Sequence, residues 1–158
     1  MKRIIICGKG ASGKDYFRKR LENKGYQFGI SYTTRPPREG EENGKNYHFI
    51  TDEEFDNMIE QDLWYEWIEF NGWKYGTSKE IFESSQVFIM TPSGISRLTS
   101  QDRMDSLVIF LDIPVLSRLE RLNARAMPGD NVYRRMQADE ADFNNFTNYD
   151  LRVTDERF

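Results

Sequence analysis

Ile4-Ile5-Ile6-Cys7-Gly8-Lys9-Gly10-Ala11-Ser12-Gly13-Lys14-Asp15 is the stretch on which the reading of this chain turns. Its first four residues form a continuous apolar run, the pattern of a strand buried on both faces of a parallel sheet. Lys14 to Asn23 has helical composition, and Lys24-Gly25 is its stop. Between strand and helix lies Gly8-x-x-x-x-Gly13-Lys14, in the context that a phosphate-binding loop requires. The glycines Gly8, Gly10 and Gly13 permit a tight wrap. The backbone N–H groups of that wrap, with those of Ala11 and Ser12, point at phosphate oxygens. The helix N-terminus adds partial positive charge. Lys14 supplies a point charge for β and γ phosphates. The bland alternative, a glycine-rich turn that binds nothing, does not explain why strand and helix flank it. The residue after the lysine in such loops is Ser or Thr, whose hydroxyl ligates Mg²⁺. Here it is Asp15, a carboxylate that also ligates Mg²⁺ but adds negative charge beside a polyanion.

Downstream of the helix, Tyr26 to Ile30 is a candidate second strand. Residues 31 to about 83 then change character. They open on a loop punctuated by Pro and Gly, Arg35-Pro36-Pro37-Arg38-Glu39-Gly40. A short strand at Tyr47 to Ile50 follows. Thr51-Asp52-Glu53-Glu54 is a capping box, and its helix carries Phe55, Met58 and Ile59 on one face. Leu63 to Phe70 and Trp73 to Tyr75 flank Asn71-Gly72, a hairpin signal. Apolar runs resume at Val87–Met90 and Leu107–Leu111. Pro114 opens a helix through Leu122, which Ala126-Met127-Pro128-Gly129-Asp130 interrupts. A helix from Val132 to Phe143 and a strand at Leu151–Val153 complete the chain. Alternating strands and helices define an α/β protein with a parallel sheet. The core is expected over residues 1–30 and 84–158, and an α+β insert over 31–83.

With 158 residues, one compact core with a modest insert is the natural size. Charged residues make up 30% and hydrophobic ones 38%, which excludes a disordered chain. Cys7 is the one cysteine, so no intramolecular bridge forms and a reducing compartment is expected. No apolar run approaches a membrane span, and Lys2-Arg3 before a short apolar run is no signal peptide. A net charge of −4 argues against a general nucleic-acid binder while leaving room for a local basic site. The expectation is a cytoplasmic monomer or homodimer with small-molecule substrates and neither nucleic acid nor membrane as partner.

Ser31-Tyr32-Thr33-Thr34-Arg35-Pro36-Pro37-Arg38-Glu39-Gly40-Glu41-Glu42-Asn43-Gly44-Lys45-Asn46-Tyr47 closely resembles the signature of the guanylate kinase family. So does Glu66-Trp67 followed by Tyr75-Gly76-Thr77, and the resemblance runs from the phosphate loop to about Asp155. It implies a P-loop NTPase-type core with helices on both faces of the sheet, a small GMP-binding insert and a mobile lid. It also implies transfer of the γ-phosphoryl group of ATP, with Mg²⁺, to GMP or dGMP. Arg35, Arg38, Tyr47 and Tyr75 would then hold the acceptor phosphate, and Ser31, Glu66 and Thr77 would address guanine. Thr154 and Asp155 would lie on the adenine side. The chemistry fits on its own terms. Two arginines three apart on a proline-stiffened loop fork onto one phosphate. A carboxylate such as Glu66 accepts from guanine N1–H and the 2-amino group together, a donor pair that adenine lacks. Read singly, these are solvated arginines, core tyrosines and an exposed glutamate; the whole string at this spacing is not explained that way. Trp64, Trp67 and Phe70 are expected in the core of the insert, and His48 as an ordinary strand residue.

Arg118, Arg121 and Arg125 lie three and four apart, and Arg134 and Arg135 follow the Pro128-Gly129 break. This resembles the family's lid, expected at about 125–135, with Arg121, Arg125 and Arg135 stabilising charge on the transferring group. The competing reading is a basic solvated face pairing with Glu120 or Asp139. At the position of Thr91, where the family usually carries an aspartate, there is no acid. Asp15 and Thr91 together suggest an exchange, in which one carboxylate and one hydroxyl still serve Mg²⁺. The same departures support the alternative of a binding module that has lost catalysis and recognises phosphorylated proteins. Retention of Lys14 and the lid arginines favours the enzyme.

Overall fold

A computed structural model describes residues 2–126 and 131–158. Of the expected break from Ala126 to Asp130, residues 127–130, in the middle of the lid, lie outside the described residues. The elements run β1 (Arg3–Gly8), α1 (Lys14–Glu22), β2 (Tyr32–Thr33), β3 (His48–Phe49), α2 (Asp52–Glu60), β4 (Trp64–Phe70), β5 (Trp73–Ser78), α3 (Lys79–Ser84), β6 (Val87–Ile89), α4 (Pro92–Ser96), α5 (Ser100–Met104), β7 (Ser106–Leu111), α6 (Val115–Ala124), α7 (Val132–Asp142) and β8 (Leu151–Val153).

The apolar runs read from the sequence assemble as one parallel sheet in the order β6-β1-β7-β8. β1 lies in its interior, with Ile5, Ile6 and Cys7 fully buried. Successive side chains on a strand face opposite ways, so β1 feeds two cores. Ile5 and Cys7 pack with Phe82, Phe88, Val108 and Phe110 on one face. Ile4 and Ile6 pack with Val87, Ile109, Leu111 and Ile113 on the other. The Cys7 thiol reaches the Ile109 carbonyl at 3.6 Å, and burial pushes its pKa up to about 12.

A second sheet, ordered β3-β2-β5-β4, is built almost wholly from residues 32–78. β4 and β5 form the expected hairpin, with Asn71 at φ 53° and Gly72 at φ 83° as a two-residue turn. The Thr51 capping box closes reciprocally with Glu54. Phe55 on α2 is fully buried and stacks on Trp64 at 4.2 Å.

Three differences from the sequence reading have physical reasons. Tyr26 to Ile30 is not a strand: Phe28 makes a single bridge to Val87, and Gly29 donates to the Val87 carbonyl at 2.8 Å. The chain touches β6 there and leaves for the insert. The short helices α3, α4 and α5 have no counterpart in the sequence pattern, because five or six residues carry no periodicity. Their signal is the cap, as Ser78, Thr91 and Thr99 each accept from a backbone N–H three residues on. Arg118 is neither lid nor solvated face. It is 2% exposed, donates to the Ile113 carbonyl at 3.1 Å and reaches Glu140 on α7 at 3.5 Å.

Candidate active site

The phosphate loop leaves β1 at Gly8 and enters α1 at Lys14. Gly13 has φ 94°, a left-handed conformation for which glycine is suited, and it forms the N-cap of α1 without a side-chain cap. Asp15 therefore does not cap the helix. It lies in the first turn and pairs with Arg18 at 3.0 Å. Ala11 also has positive φ, 58°, a conformation that costs a non-glycine residue about 1 kcal/mol or more. Ser12 is fully buried, and its hydroxyl oxygen has no hydrogen-bond partner.

Lys14 folds back over the loop. Its ammonium donates to the carbonyls of Gly8 at 2.6 Å and Lys9 at 3.0 Å. Burial lowers its pKa, opposed by Asp139 and Asp15. The loop is gripped from outside as well. Gly10 N donates to an Asp139 carboxylate oxygen at 2.8 Å, Lys9 pairs with Glu140 at 2.7 Å, and Arg121 donates to the Ala11 carbonyl at 3.0 Å. The sequence reading gave Asp139 no role beyond pairing with an arginine. The carboxylate instead takes a loop amide.

Across a cleft of about 320 Å³ lies the second sheet and its entry loop. The cleft is lined on one side by Gly8, Gly10, Ala11, Ser12, Gly13, Lys14 and Asp15. On the other stand Ser31, Arg35, Arg38, Tyr47, Glu66 and Tyr75. Thr91, Arg125, Arg135, Asp139 and Asp142 complete it. Arg35 is 5% exposed and forks onto Glu41 at 2.8 and 2.9 Å. Glu41 also accepts from the Arg38 amide at 2.7 Å. Burial would raise the Glu41 pKa, but these bonds hold it below the usual carboxylate value. Glu41 belongs to the signature stretch, and its role shows only in the folded loop. Burial, with Arg35 and Arg135 nearby, lowers the Arg38 pKa. Burial pushes the Tyr47 phenol up to about 12, so it stays a neutral donor.

Glu66 is buried, and Thr77 donates a hydroxyl to it at 2.8 Å. Thr77 does not line the cleft; it stands behind Glu66. A β-carbon on Gly94 would come within 3.1 Å of the other Glu66 oxygen, so α4 closes tightly on the carboxylate. Burial raises the Glu66 pKa, against Thr77 and Arg97. Thr91 caps α4 by accepting from Gly94 N at 3.1 Å. The strands behind Asp15 and Thr91, β1 and β6, are parallel neighbours.

Thr154 and Asp155 do not line this cleft, and Asp155 pairs with Arg157 at 3.1 Å. A second depression beside the loop is lined by Tyr16, Arg121, Arg125, Glu156, Arg157 and Phe158, together with Ala11 and Gly13. Among the described residues, no group of three or more His, Cys, Asp or Glu side chains could hold a metal ion. No helix among them is long and apolar enough to cross a membrane.

A phosphate loop facing an arginine- and tyrosine-lined pocket with a buried carboxylate defines an ATP-dependent nucleoside-monophosphate kinase. The family model described as guanylate kinase matches residues 1–158. The guanylate kinase of Synechococcus sp. (strain JA-3-3Ab) is 35% identical over 85% of this chain, which spans 66% of that relative's length. That of Aster yellows witches'-broom phytoplasma is 32% identical over 97% of this chain and 78% of its own. The crystal structure of guanylate kinase from Anaplasma phagocytophilum superposes with a TM-score of 0.74 at 23% identity, covering 98% of this chain and 78% of that one. The chain belongs to the guanylate kinase family.

Proposed function

We propose that this chain transfers the γ-phosphoryl group of ATP to GMP or dGMP, giving ADP and GDP or dGDP. The observation that carries this reading is the single cleft shared by the phosphate loop and the pocket around Glu66, Arg35 and Arg38. An oxygen of the GMP phosphate attacks the γ-phosphorus, and the bond to the β–γ bridging oxygen breaks as ADP leaves. Such a step needs alignment and charge neutralisation more than a proton shuttle. The loop amides and Lys14 take the ATP phosphates. Arg35, Arg38, Tyr47 and Tyr75 take the GMP phosphate. Arg121, Arg125 and Arg135 stabilise the equatorial oxygens in transit. Glu66, held by Thr77 and neighboured by Ser31, reads N1–H and the 2-amino group of guanine. Adenine lies toward Thr154 and Asp155 and the depression beyond them.

Mg²⁺ suits this donor set. It keeps several waters and takes one or two carboxylates together with substrate phosphates, so a protein cage of three acids is not required. Asp15 retains a carboxylate oxygen beyond its Arg18 pair, and Thr91 a second lone pair beyond its cap. Asp15 and Thr91 are the two groups that would hold the ion here. When bound, Mg²⁺ neutralises charge on the β and γ phosphates. The chain works in the cytoplasm as a monomer or homodimer.

A coupled assay with ATP, Mg²⁺ and a panel of nucleoside monophosphates tests the proposal. Product formation is expected to be largest with GMP or dGMP. Protein that phosphorylates none of the panel yet binds phosphopeptides is the binding module instead.

A further inference from the structure

Glu66 does not stand on a regular strand. β4 pairs with β5 residue for residue from Phe70↔Trp73 to Glu66↔Thr77, and then the register slips. Trp64 faces Ser78, so Tyr65 is the extra residue of a β-bulge immediately before Glu66. A bulge bends its strand and re-aims the neighbouring side chain. It also frees a residue from the ladder, so something else must fix its place.

Tyr65 is fixed by a closed ring of contacts reaching into the core. Its ring stacks on Phe82 of α3, with centroids 3.6 Å apart and planes at 11°. Its hydroxyl donates to Asp102 of α5 at 2.6 Å and accepts from Thr99 N at 3.3 Å. The other Asp102 oxygen accepts from Arg3 at 3.1 Å. Arg3 returns to the start, lying 4.0 Å over the Phe82 ring and donating to the Phe82 carbonyl at 3.2 Å. Arg3 opens β1, the strand that ends in the phosphate loop. The bulge before the guanine reader is thus tied to the strand that carries the ATP site. Burial and the Asp102 carboxylate raise the Tyr65 pKa to about 12, so the phenol remains a donor at neutral pH.

We infer that Tyr65 is a positioning residue for guanine selectivity, acting on Glu66 through the anchored bulge without touching nucleotide. The inference rests on the assignment of Glu66 as reader of guanine. Three side chains make the case specific. Trp64 is pinned by its stack on Phe55, Glu66 by Thr77 and Gly94, and Tyr65 supplies the fixed point between them on the core side. With the hydroxyl gone, the stack persists and the fold survives, but the bulge loses its directional anchor. Carboxylate placement then varies by a few tenths of an ångström, where two simultaneous hydrogen bonds to one base edge leave little tolerance.

The test is steady-state kinetics of the full chain with Tyr65→Phe, Asp102→Asn and Glu66→Gln, using GMP, IMP and AMP as acceptors. IMP lacks the 2-amino group and isolates one of the two contacts. Tyr65→Phe is expected to lower the GMP-over-AMP ratio of kcat/KM by about 3–10-fold, mainly through the KM for GMP, with the KM for ATP unchanged. Asp102→Asn should reproduce part of that loss, and the double variant should show less than the product of the two. A Tyr65→Phe enzyme with reduced melting temperature but full base selectivity overturns the inference, because Tyr65 is then only a packing residue. If Glu66→Gln leaves selectivity intact, the reader assignment itself is wrong. If Glu66→Gln abolishes selectivity while Tyr65→Phe does not, only the positioning role falls.

Discussion

Glu41→Ala tests the acceptor pocket at a residue that touches no substrate in the proposed arrangement. Glu41 is the counter-ion of Arg35, forked at 2.8 and 2.9 Å, and its side chain is 16% exposed beside an arginine that is 5% exposed. Breaking a fully buried pair costs about 3–5 kcal/mol, because the remaining charge stays buried without a partner. Glu41 is partly open to water, and Arg35 keeps its bond to the Pro36 carbonyl at 2.9 Å. A cost below that range is therefore expected, about 2–3 kcal/mol, which includes the Arg38 amide losing its acceptor. For a chain of this size that is a fall in Tm of roughly 5–10 °C. A phosphate bound at the same arginine restores a counter-ion. That gain is outweighed by lost pre-orientation, so the GMP KM should rise about tenfold and, by linkage, the same GMP concentration should raise the Tm of Glu41→Ala by less than that of the wild type. Thermal unfolding with and without GMP, beside initial rates, reads all three quantities. A Tm within 1–2 °C of wild type, on the order of 0.5 kcal/mol, together with an unchanged GMP KM, would refute the view that Glu41 holds the arginine in place.

Glu66→Gln should reduce the preference for GMP over AMP by about 10–100-fold, since unpaired polar groups dominate discrimination of this kind. Because burial raises the Glu66 pKa above 4.5, the folded protein binds that proton more tightly than the unfolded chain. Acidification through the folded pKa then favours the fold at this residue while removing the acceptor for guanine, so the GMP KM should climb there in wild type and stay flat in Glu66→Gln. Asp15→Ser and Thr91→Asp should each impair Mg²⁺-dependent turnover, with the double exchange recovering much of it; strictly additive losses would end the idea of a swapped pair. Asp139→Ala frees the Gly10 amide from an internal anion, so the KM for ATP should fall about 3–10-fold. A rise in that KM would mean that Asp139 braces the loop rather than competing with phosphate.

Much of the architecture was legible because its signals are local. Ile4 to Lys14 is strand, turn and helix with the left-handed conformation at Gly13 that the turn demands, and Thr51 and Glu54 close their box within four residues. The signature stretch and Glu66 likewise announce themselves at short range. What stayed hidden depends on the folded path of the backbone, which composition and periodicity do not show. Glu41 matters because of how the loop folds onto Arg35, Asp139 because α7 crosses back to Gly10 129 residues earlier, and Thr91 because a cap needs only one oxygen. Tyr65 reads as one more aromatic in a hairpin, since a bulge leaves no mark in composition. Tyr26 to Ile30 differs in the opposite sense, as a strand-like sequence that makes a single bridge, at Phe28, before turning away.

Cys7 gives the sheet a built-in clock. It is the only thiol in the chain, fully buried in an interior strand one residue before the phosphate loop, with a pKa near 12. Alkylating reagents attack the thiolate, which this site almost never presents while the sheet is intact. Labelling must therefore wait for β1 to separate from its neighbours, and its rate reports the free energy of that opening. ATP bound at Gly8 should slow the reaction in proportion to its occupancy. GMP, held by the second sheet, should slow it only so far as the insert shares the same cooperative unit. The ratio of the two protections would measure, with no engineered probe, how tightly the two sheets open together.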